Sequence, residues 1–511
     1  MMSDWSAGYM ADINYTFGYY PELNPLRSRL AFAHAGLVAP PVATACELGF
    51  GQGISVNVHA AASGVEWHGT DFNPAQAAFA QELARAADAH ARLGDDAFAD
   101  YVRRADLPDF DFIGVHGIYS WVSAENRAAI VDFVRRKLKV GGVLYISYNT
   151  LPGWAGFAPM RHLLAEHAAT LGAAGAGIVD RVDAALAFAE RLLELKPAAA
   201  RVYPQLAERL KKVKGQNRNY VAHEYFNREW QPMFFSEMAA ALGAAKLGFA
   251  CSAHFADHVE ALNLTEAQQA FLREIPDAVL RQTVRDLMVN QQFRRDYWVK
   301  GERRLSPAER NEILQGLRFC LTTPRAEVPM KITGALGEAS LAPEVYAPLL
   351  DALADHRPRT LGQLSRGLQG KVGASQLLQA VIVLQAGGHL ALAQDEAASD
   401  RARKHAGLLN RHLIGKARGG GDVVYLASPV TGGGVPVGRF QQLFLLARGQ
   451  GVKLPAEWAA ATWQLLAGQG QKIVKEGKPL ETPQENLDEL NRLARIFADK
   501  QLPLLQALQV A

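Results

Sequence analysis

The segment Glu47-Leu48-Gly49-Phe50-Gly51-Gln52-Gly53 puts a carboxylate at the head of a turn with a glycine at every second position. Glycines are required where backbone must turn tightly and let a ligand approach, because a Cβ there would collide. A dinucleotide fingerprint would read G-x-G-x-x-G, with a pyrophosphate seated on the following helix N-terminus. Here the register is E-x-G-x-G-x-G, with glycines at 49, 51 and 53. A carboxylate at that point opposes a pyrophosphate and suits a cationic part of a ligand. Further along stands Asp71, placed to accept hydrogen bonds from both hydroxyls of a ribose. In Asp95-Asp96-Ala97-Phe98, Asp96 is expected to accept from an adenine amino group, with a neighbouring backbone N–H for a ring nitrogen. Each signal alone fits an ordinary turn, helix cap or solvated loop. The three in order fit a nucleoside site.

A nucleoside with positive charge is S-adenosylmethionine, through its amino group and sulfonium. Methyl transfer from it is an in-line displacement at an already activated carbon, so the protein must align the nucleophile and exclude water. A lysine acceptor must also lose a proton, which costs roughly 4.6 kcal/mol at pH 7 from a pKa near 10.4. A narrow aromatic slot lowers that cost by desolvating the ammonium form. The candidates for such a slot are Tyr15, Tyr19 and Tyr20 near the N-terminus, His116, Tyr119 and Trp121, and then Tyr148, Asn149 and Trp154. Trp121 and Trp154 suit packing equally well. No residue stands out as a general base.

Holding these groups together calls for a parallel sheet. Strand-like runs at 42–48, 65–70, 110–116 and 143–148 alternate with helical patterns, the mark of an α/β fold. A short helix is expected over 54–62. A second starts at the Asn73-Pro74 cap and runs to about His90. A third is capped by Ser123, carries Arg135, Arg136, Lys137 and Lys139 at its end, and is stopped by Gly141-Gly142. Ligands of open α/β sheets collect outside the carboxyl ends of the strands, where the residues above fall. Long helices follow at 183–195 and 205–213. A helix at 235–247 and a strand at 249–255 are expected to complete the sheet, which makes 155–215 a helical insertion. Three helices at 346–354, 360–368 and 375–386 run into a strand at Gly387-Gly388-His389-Leu390, a winged-helix pattern. The tail holds Gly432-Gly433-Gly434 and two more helices.

Five further strings carry a family likeness: Tyr15-Thr16-Phe17-Gly18-Tyr19-Tyr20-Pro21-Glu22-Leu23-Asn24-Pro25, Asp71-Phe72-Asn73-Pro74, Phe112-Ile113-Gly114-Val115-His116-Gly117-Ile118-Tyr119-Ser120-Trp121-Val122, Tyr148-Asn149-Thr150-Leu151-Pro152-Gly153-Trp154 and Tyr220-Val221-Ala222-His223-Glu224-Tyr225-Phe226. With the glycine turn they resemble class I S-adenosylmethionine-dependent methyltransferases. The likeness is closer to a bacterial family with an attached methyltransferase regulatory domain. Characterised members of that family include protein-lysine methyltransferases acting on outer-membrane surface proteins. It is specific over 1–160, moderate over 215–300 and diffuse beyond 300. Phe50 departs from the small or polar residue usual at its position, a change expected to leave backbone contacts intact.

The resemblance implies an α/β, Rossmann-like methyltransferase sheet with α-rich, winged-helix-like C-terminal domains. The expected divisions are an N-terminal lid segment (1–40), a cofactor-binding core (41–154), the helical insertion (155–215), a regulatory domain (216–300), a winged-helix-like domain (301–410) and an α-rich C-terminal domain (411–511). It implies S-adenosylmethionine as cofactor, contacted by Glu47, Gly49, Phe50, Gly51, Gly53, Asp71, Phe72, Asp96, Ala97, Phe98 and His116. The acceptor side is expected at Tyr20, His116, Tyr119, Trp121 and Asn149, with a protein lysine as the favoured substrate. The rival readings are an O-methyltransferase of a glycan or small molecule, and a non-catalytic protein that senses the cofactor.

Bulk properties narrow the partners. Among 511 residues, Lys plus Arg (54) barely exceeds Asp plus Glu (51), which argues against a nucleic-acid footprint. In the winged-helix segment Arg357, Arg359, Arg366 and Lys371 are offset by Glu344, Asp351 and Asp355, and 375–386 has no cation, so protein docking or packing is expected there. Cys46, Cys251 and Cys320 lie far apart with no C-x-x-C, so neither a disulfide framework nor a metal site is expected. The apolar stretch 377–392 is interrupted by Gln379, Gln385 and His389, so no membrane span is expected. The N-terminus lacks a basic, apolar leader pattern, which implies a cytoplasmic setting. Leu186, Leu192, Leu193 and Leu195 recur near helical spacing and would suit either burial within the chain or pairing in a homodimer.

Overall fold

The computed structural model describes residues 16–172, 175 and 177–511; Tyr15 lies outside the described residues. The first strand, β1 (Thr44–Leu48), is buried from its second residue onward. It feeds the glycine turn and then α1 (Ile54–Ala62), a helix whose every residue is buried. Next come β2 (Glu66–Thr70) and α2 (Pro74–Ala87). The Asn73 side chain accepts from the N–H groups of Ala75 and Gln76, with Pro74 at the first helical position. Asp88 adopts φ 50° and ends α2 earlier than the sequence pattern indicates, which releases Ala91–Gly94 to form β3. A short helix α3 (Phe98–Tyr101) precedes β4 (Phe110–Val115). Ser123 caps α4 (Ala124–Lys137) as expected. Gly141-Gly142 do not stop that helix, because β5 (Leu138–Asn149) begins at once and the glycines lie inside the strand, where its register against β4 shifts.

Two later strands close the sheet: β6 (Leu247–Ser252), starting slightly before the expected run, and β7 (Phe293–Lys300). The order is β3-β2-β1-β4-β5-β7-β6, parallel from β1 to β5, with β7 antiparallel to both its neighbours. Strand direction of travel reverses between β1 and β4, which opens the crevice where ligands of such sheets bind. The sequence pattern does not indicate β7, because Arg294 and Asp296 point inward. They neutralise each other at 2.9 Å, Arg294 also reaches Asp286 at 2.6 Å, and the Tyr148 hydroxyl donates to Asp296 at 2.8 Å.

Helices Ala158–Thr170, Ile178–Glu194 and Leu206–Lys214 enclose a core of their own around Trp154, Phe157, Leu164, Val182 and Leu186. Leu186 is interior, whereas Leu195 is 80% exposed. Strands Arg318–Leu321, Arg359–Thr360 and Leu390–Ala393 form a small sheet beside helices Pro343–Ala352, Leu361–Gly367 and Ala374–Ala386. Their apolar side chains merge with those of the main sheet in one core. Beyond 411 lie helices Arg439–Gly449, Pro455–Gly468, Pro483–Ile496 and Leu502–Ala507, more than the two expected. Helix Glu396–Lys416 and the hairpin Tyr425–Ser428/Gly433–Pro436 cover the far side of α1, which explains its burial on all faces. Among the described residues no helix is long and apolar enough to cross a membrane.

Candidate active site

A pocket opens at the carboxyl ends of β1, β2 and β4. Gly49, Gly51 and Gly53 all take positive φ, at 70°, 58° and 71°. Their reasons for being glycine differ. A Cβ on Gly53 would collide with the Ala80 side chain, and one on Gly49 would meet Ile118 at 2.6 Å. One on Gly51 would meet no protein atom within 4 Å, so its face is open to the pocket. The Gly51 N–H donates to Asp71 Oδ2 at 2.8 Å, which ties the turn to the end of β2.

Glu47 sits near the end of β1 with 2% exposure, and its Oε2 has no hydrogen-bond partner. Burial, reinforced by the nearby Asp71 carboxylate, raises its pKa well above the usual carboxylate range. Asp71 also accepts from the Asn73 N–H at 3.1 Å; burial lifts it to about 6 against the pull of its two backbone donors. A carboxylate has about four lone-pair sites, so both acids keep acceptor capacity. Phe50, Phe72, Ala97 and Phe98 line the same pocket. Asp96 and Gly53 do not. The Asp96 carboxylate is held by Arg104 at 3.0 Å and its carbonyl by the Thr70 hydroxyl, while Gly53 serves the packing of α1 on α2.

At the other end Tyr20 stacks on His116 with ring centroids 3.6 Å apart, and His116 Nδ1 lies 2.7 Å from the Tyr145 hydroxyl. Burial depresses His116 to about 4, so it is neutral at pH 7. Trp121 forms the wall beside them, with the Arg161 guanidinium 5.8 Å from its ring centroid. Other expected slot residues lie elsewhere. Tyr119 is buried in the core with Ile130 and Phe133. Asn149 spends its N–H on Ser120 and its carbonyl on Met233 and does not line the pocket. Tyr148 donates inward to Asp296, and Trp154 packs in the helical insertion under Arg209. The Tyr19 hydroxyl meets His59 Nε2 at 3.1 Å and accepts from the Gly434 N–H at 2.7 Å, on the far side of α1.

Sequence reasoning missed part of the wall: Thr16, Gln52, Gln76, Ile118, Asn126 and, from helix Arg218–Tyr225 and the residues after it, His223, Glu224 and Asn227. The string 220–226 reads as the opening of a domain; its adjacent His-Glu pair was the available signal. Burial raises Glu224 to about 7, and the neighbouring Arg161 charge opposes a larger rise. Arg161 is fixed by donating to the Asn227 carbonyl at 2.6 Å. Among the described residues the pocket walls carry three carboxylates, Glu47, Asp71 and Glu224, and no lysine or arginine. Such a lining repels a pyrophosphate and attracts a cation.

Residues 217–300 match a family model described as a predicted methyltransferase regulatory domain. The protein sll1526 of Synechocystis sp. is 40% identical over 513 residues, covering 99% of this chain and 100% of that one. RP789 of Rickettsia prowazekii is 28% identical over 190 residues, 36% of this chain and 33% of that protein. Among solved structures, PKMT2 from Rickettsia typhi in complex with AdoHcy superposes with a TM-score of 0.67 at 18% identity, covering 97% of this chain and 100% of PKMT2. The same fold therefore runs through all of PKMT2 and nearly all of this chain.

Proposed function

The chain belongs to the same family as the Synechocystis protein sll1526 and is built as a class I S-adenosylmethionine-dependent methyltransferase, and we propose that it delivers the methyl group to lysine side chains of a protein. The observation that carries this reading is the buried, unpartnered Glu47 oxygen in a pocket whose charged groups are all acidic. A buried carboxylate without a partner is costly, and an arriving cation offsets that cost. Bound S-adenosylmethionine supplies a methyl carbon already activated by its sulfonium. Glu47 takes its ammonium, Asp71 its ribose hydroxyls, and Phe72, Ala97 and Phe98 flank its base.

Tyr20, His116 and Trp121 form the acceptor wall. The two aromatic rings and the neutral imidazole favour a cation while excluding water, which suits a lysine side chain entering end-on. The full-length fold shared with PKMT2 and the family resemblance point to the same acceptor class. Incubating cell extract with radiolabelled S-adenosylmethionine and separating protein, glycan and small-molecule fractions tests it. Label on protein lysine is the expected outcome. Label confined to glycan or small molecules would remove the lysine reading, and no transferred label at all would leave a cofactor-sensing binding protein.

A further inference from the structure

We propose that Glu224, contributed by the regulatory domain, is a catalytic residue that accepts the proton the acceptor amine must lose. The inference rests on the lysine reading above. Of the three carboxylates in the pocket walls, Glu47 and Asp71 stand on the glycine turn and the end of β2, where the cofactor is held. Glu224 enters from a different element, helix Arg218–Tyr225, and lines the pocket together with Tyr20, His116 and Trp121.

The alternatives at that end are poorly suited. His116 has its Nδ1 engaged by Tyr145 and little proton affinity at pH 7, since burial holds it near 4. Asp71 is occupied by two backbone N–H groups. A general base works best when its pKa lies near the working pH, and Glu224 at about 7 meets that condition. The charged and titratable groups around it are consistent. Arg161, on helix Ala158–Thr170, is drawn down by burial to about 10 and so stays cationic, and its charge pulls the carboxyl downward. Tyr220 and Tyr225, on the same helix as Glu224, have hydroxyls pushed upward by burial and stay neutral; Arg209 faces Tyr225. His223, the next residue in the chain, and His116 complete the surroundings.

The step balances. An ammonium proton of the lysine moves to the Glu224 carboxylate, and the freed lone pair forms the N–C bond to the methyl carbon. The electron pair of the breaking C–S bond stays on sulfur, giving a neutral thioether and a methylated ammonium. Glu224 then returns its proton to water. The domain matched as regulatory thus supplies part of the chemistry.

The test uses the full chain with Glu224→Gln and Glu224→Asp. Three quantities are read: the pH profile of kcat, calorimetric affinity for AdoHcy, and affinity for n-butylamine as a lysine mimic in the AdoHcy-loaded protein. In the wild type, kcat is expected to climb tenfold per pH unit up to about 7 and then level. Glu224→Gln is expected to lower kcat by roughly 10²–10⁴-fold, erase that acidic limb and weaken butylamine about tenfold or more, with AdoHcy affinity unchanged. Glu224→Asp is expected to keep the limb at a reduced rate, and it carries the test if the glutamine variant fails to fold. An unchanged butylamine affinity, or a wild-type pH profile in Glu224→Gln, would overturn the assignment. Because butylamine binding needs no protein acceptor, label found outside protein would end the lysine reading while this arm still decides Glu224.

Discussion

The Glu47 carboxyl is held where burial makes its charge unfavourable. Its folded pKa is raised, so its contribution to stability is full below the unfolded value near 4.5 and is lost as pH rises through the folded value. At neutral pH, Glu47→Gln is therefore expected to raise the melting temperature of the ligand-free chain. The same change is expected to weaken AdoHcy, which keeps the ammonium, by about 1.5–3 kcal/mol. Thermal denaturation and calorimetry on one preparation check both; a variant with less stability and intact affinity would mean that the carboxylate is structural. Its place in the pocket was legible because its type and its position before the glycines are both local. Asp96 shows the limit of that logic: its loop position is readable, but Arg104, eight residues on, claims the side chain.

Elements were legible where a local signal sets them. The Asn73-Pro74 cap, the Ser123 cap and the apolar run of β4 depend on near neighbours. Strand β7 does not, because an inward Arg294 is tolerable only with Asp286 and Asp296 already in place. The glycine cluster of the tail also gains its meaning from tertiary contact. The Gly434 N–H donates to Tyr19, and a Cβ there would lie 3.0 Å from the Tyr19 ring. Gly434→Ala is expected to cost about 1–3 kcal/mol by overpacking this junction, measured by denaturant unfolding. A loss within a few tenths would show that the hairpin yields freely.

At the scale of the molecule, the pocket is assembled from parts far apart in the chain: an N-terminal strap at Thr16–Tyr20 positions, the sheet ends, and the helix bearing His223 and Glu224. That last part was not legible because nothing in residues 41–154 indicates which later segment will fold over them. The assembled pocket also has a collective electrostatic consequence. On its cofactor side Asp71 ionises near 6 and Glu47 is raised as well, so that part of the lining gains negative charge as pH rises through and beyond 6. The thermal shift produced by saturating AdoHcy is expected to grow between about pH 5 and 8, as ionised carboxylates meet the ligand's ammonium. Buried histidines such as His59 and His254, depressed to about 3 and 4, destabilise the fold toward acid in both states and so cancel in that difference. A shift independent of pH would argue against a carboxylate-lined ligand site.

Tyr19 and Tyr20 are consecutive, and Tyr20 has extended backbone geometry, so the two rings part company: one is clasped by a hairpin encoded more than four hundred positions downstream, the other lies over His116. A single peptide unit thus forms an axle between the tail of the chain and the pocket at the strand ends. Lengthening the polypeptide by one residue at that point would leave one of the two rings without its seat.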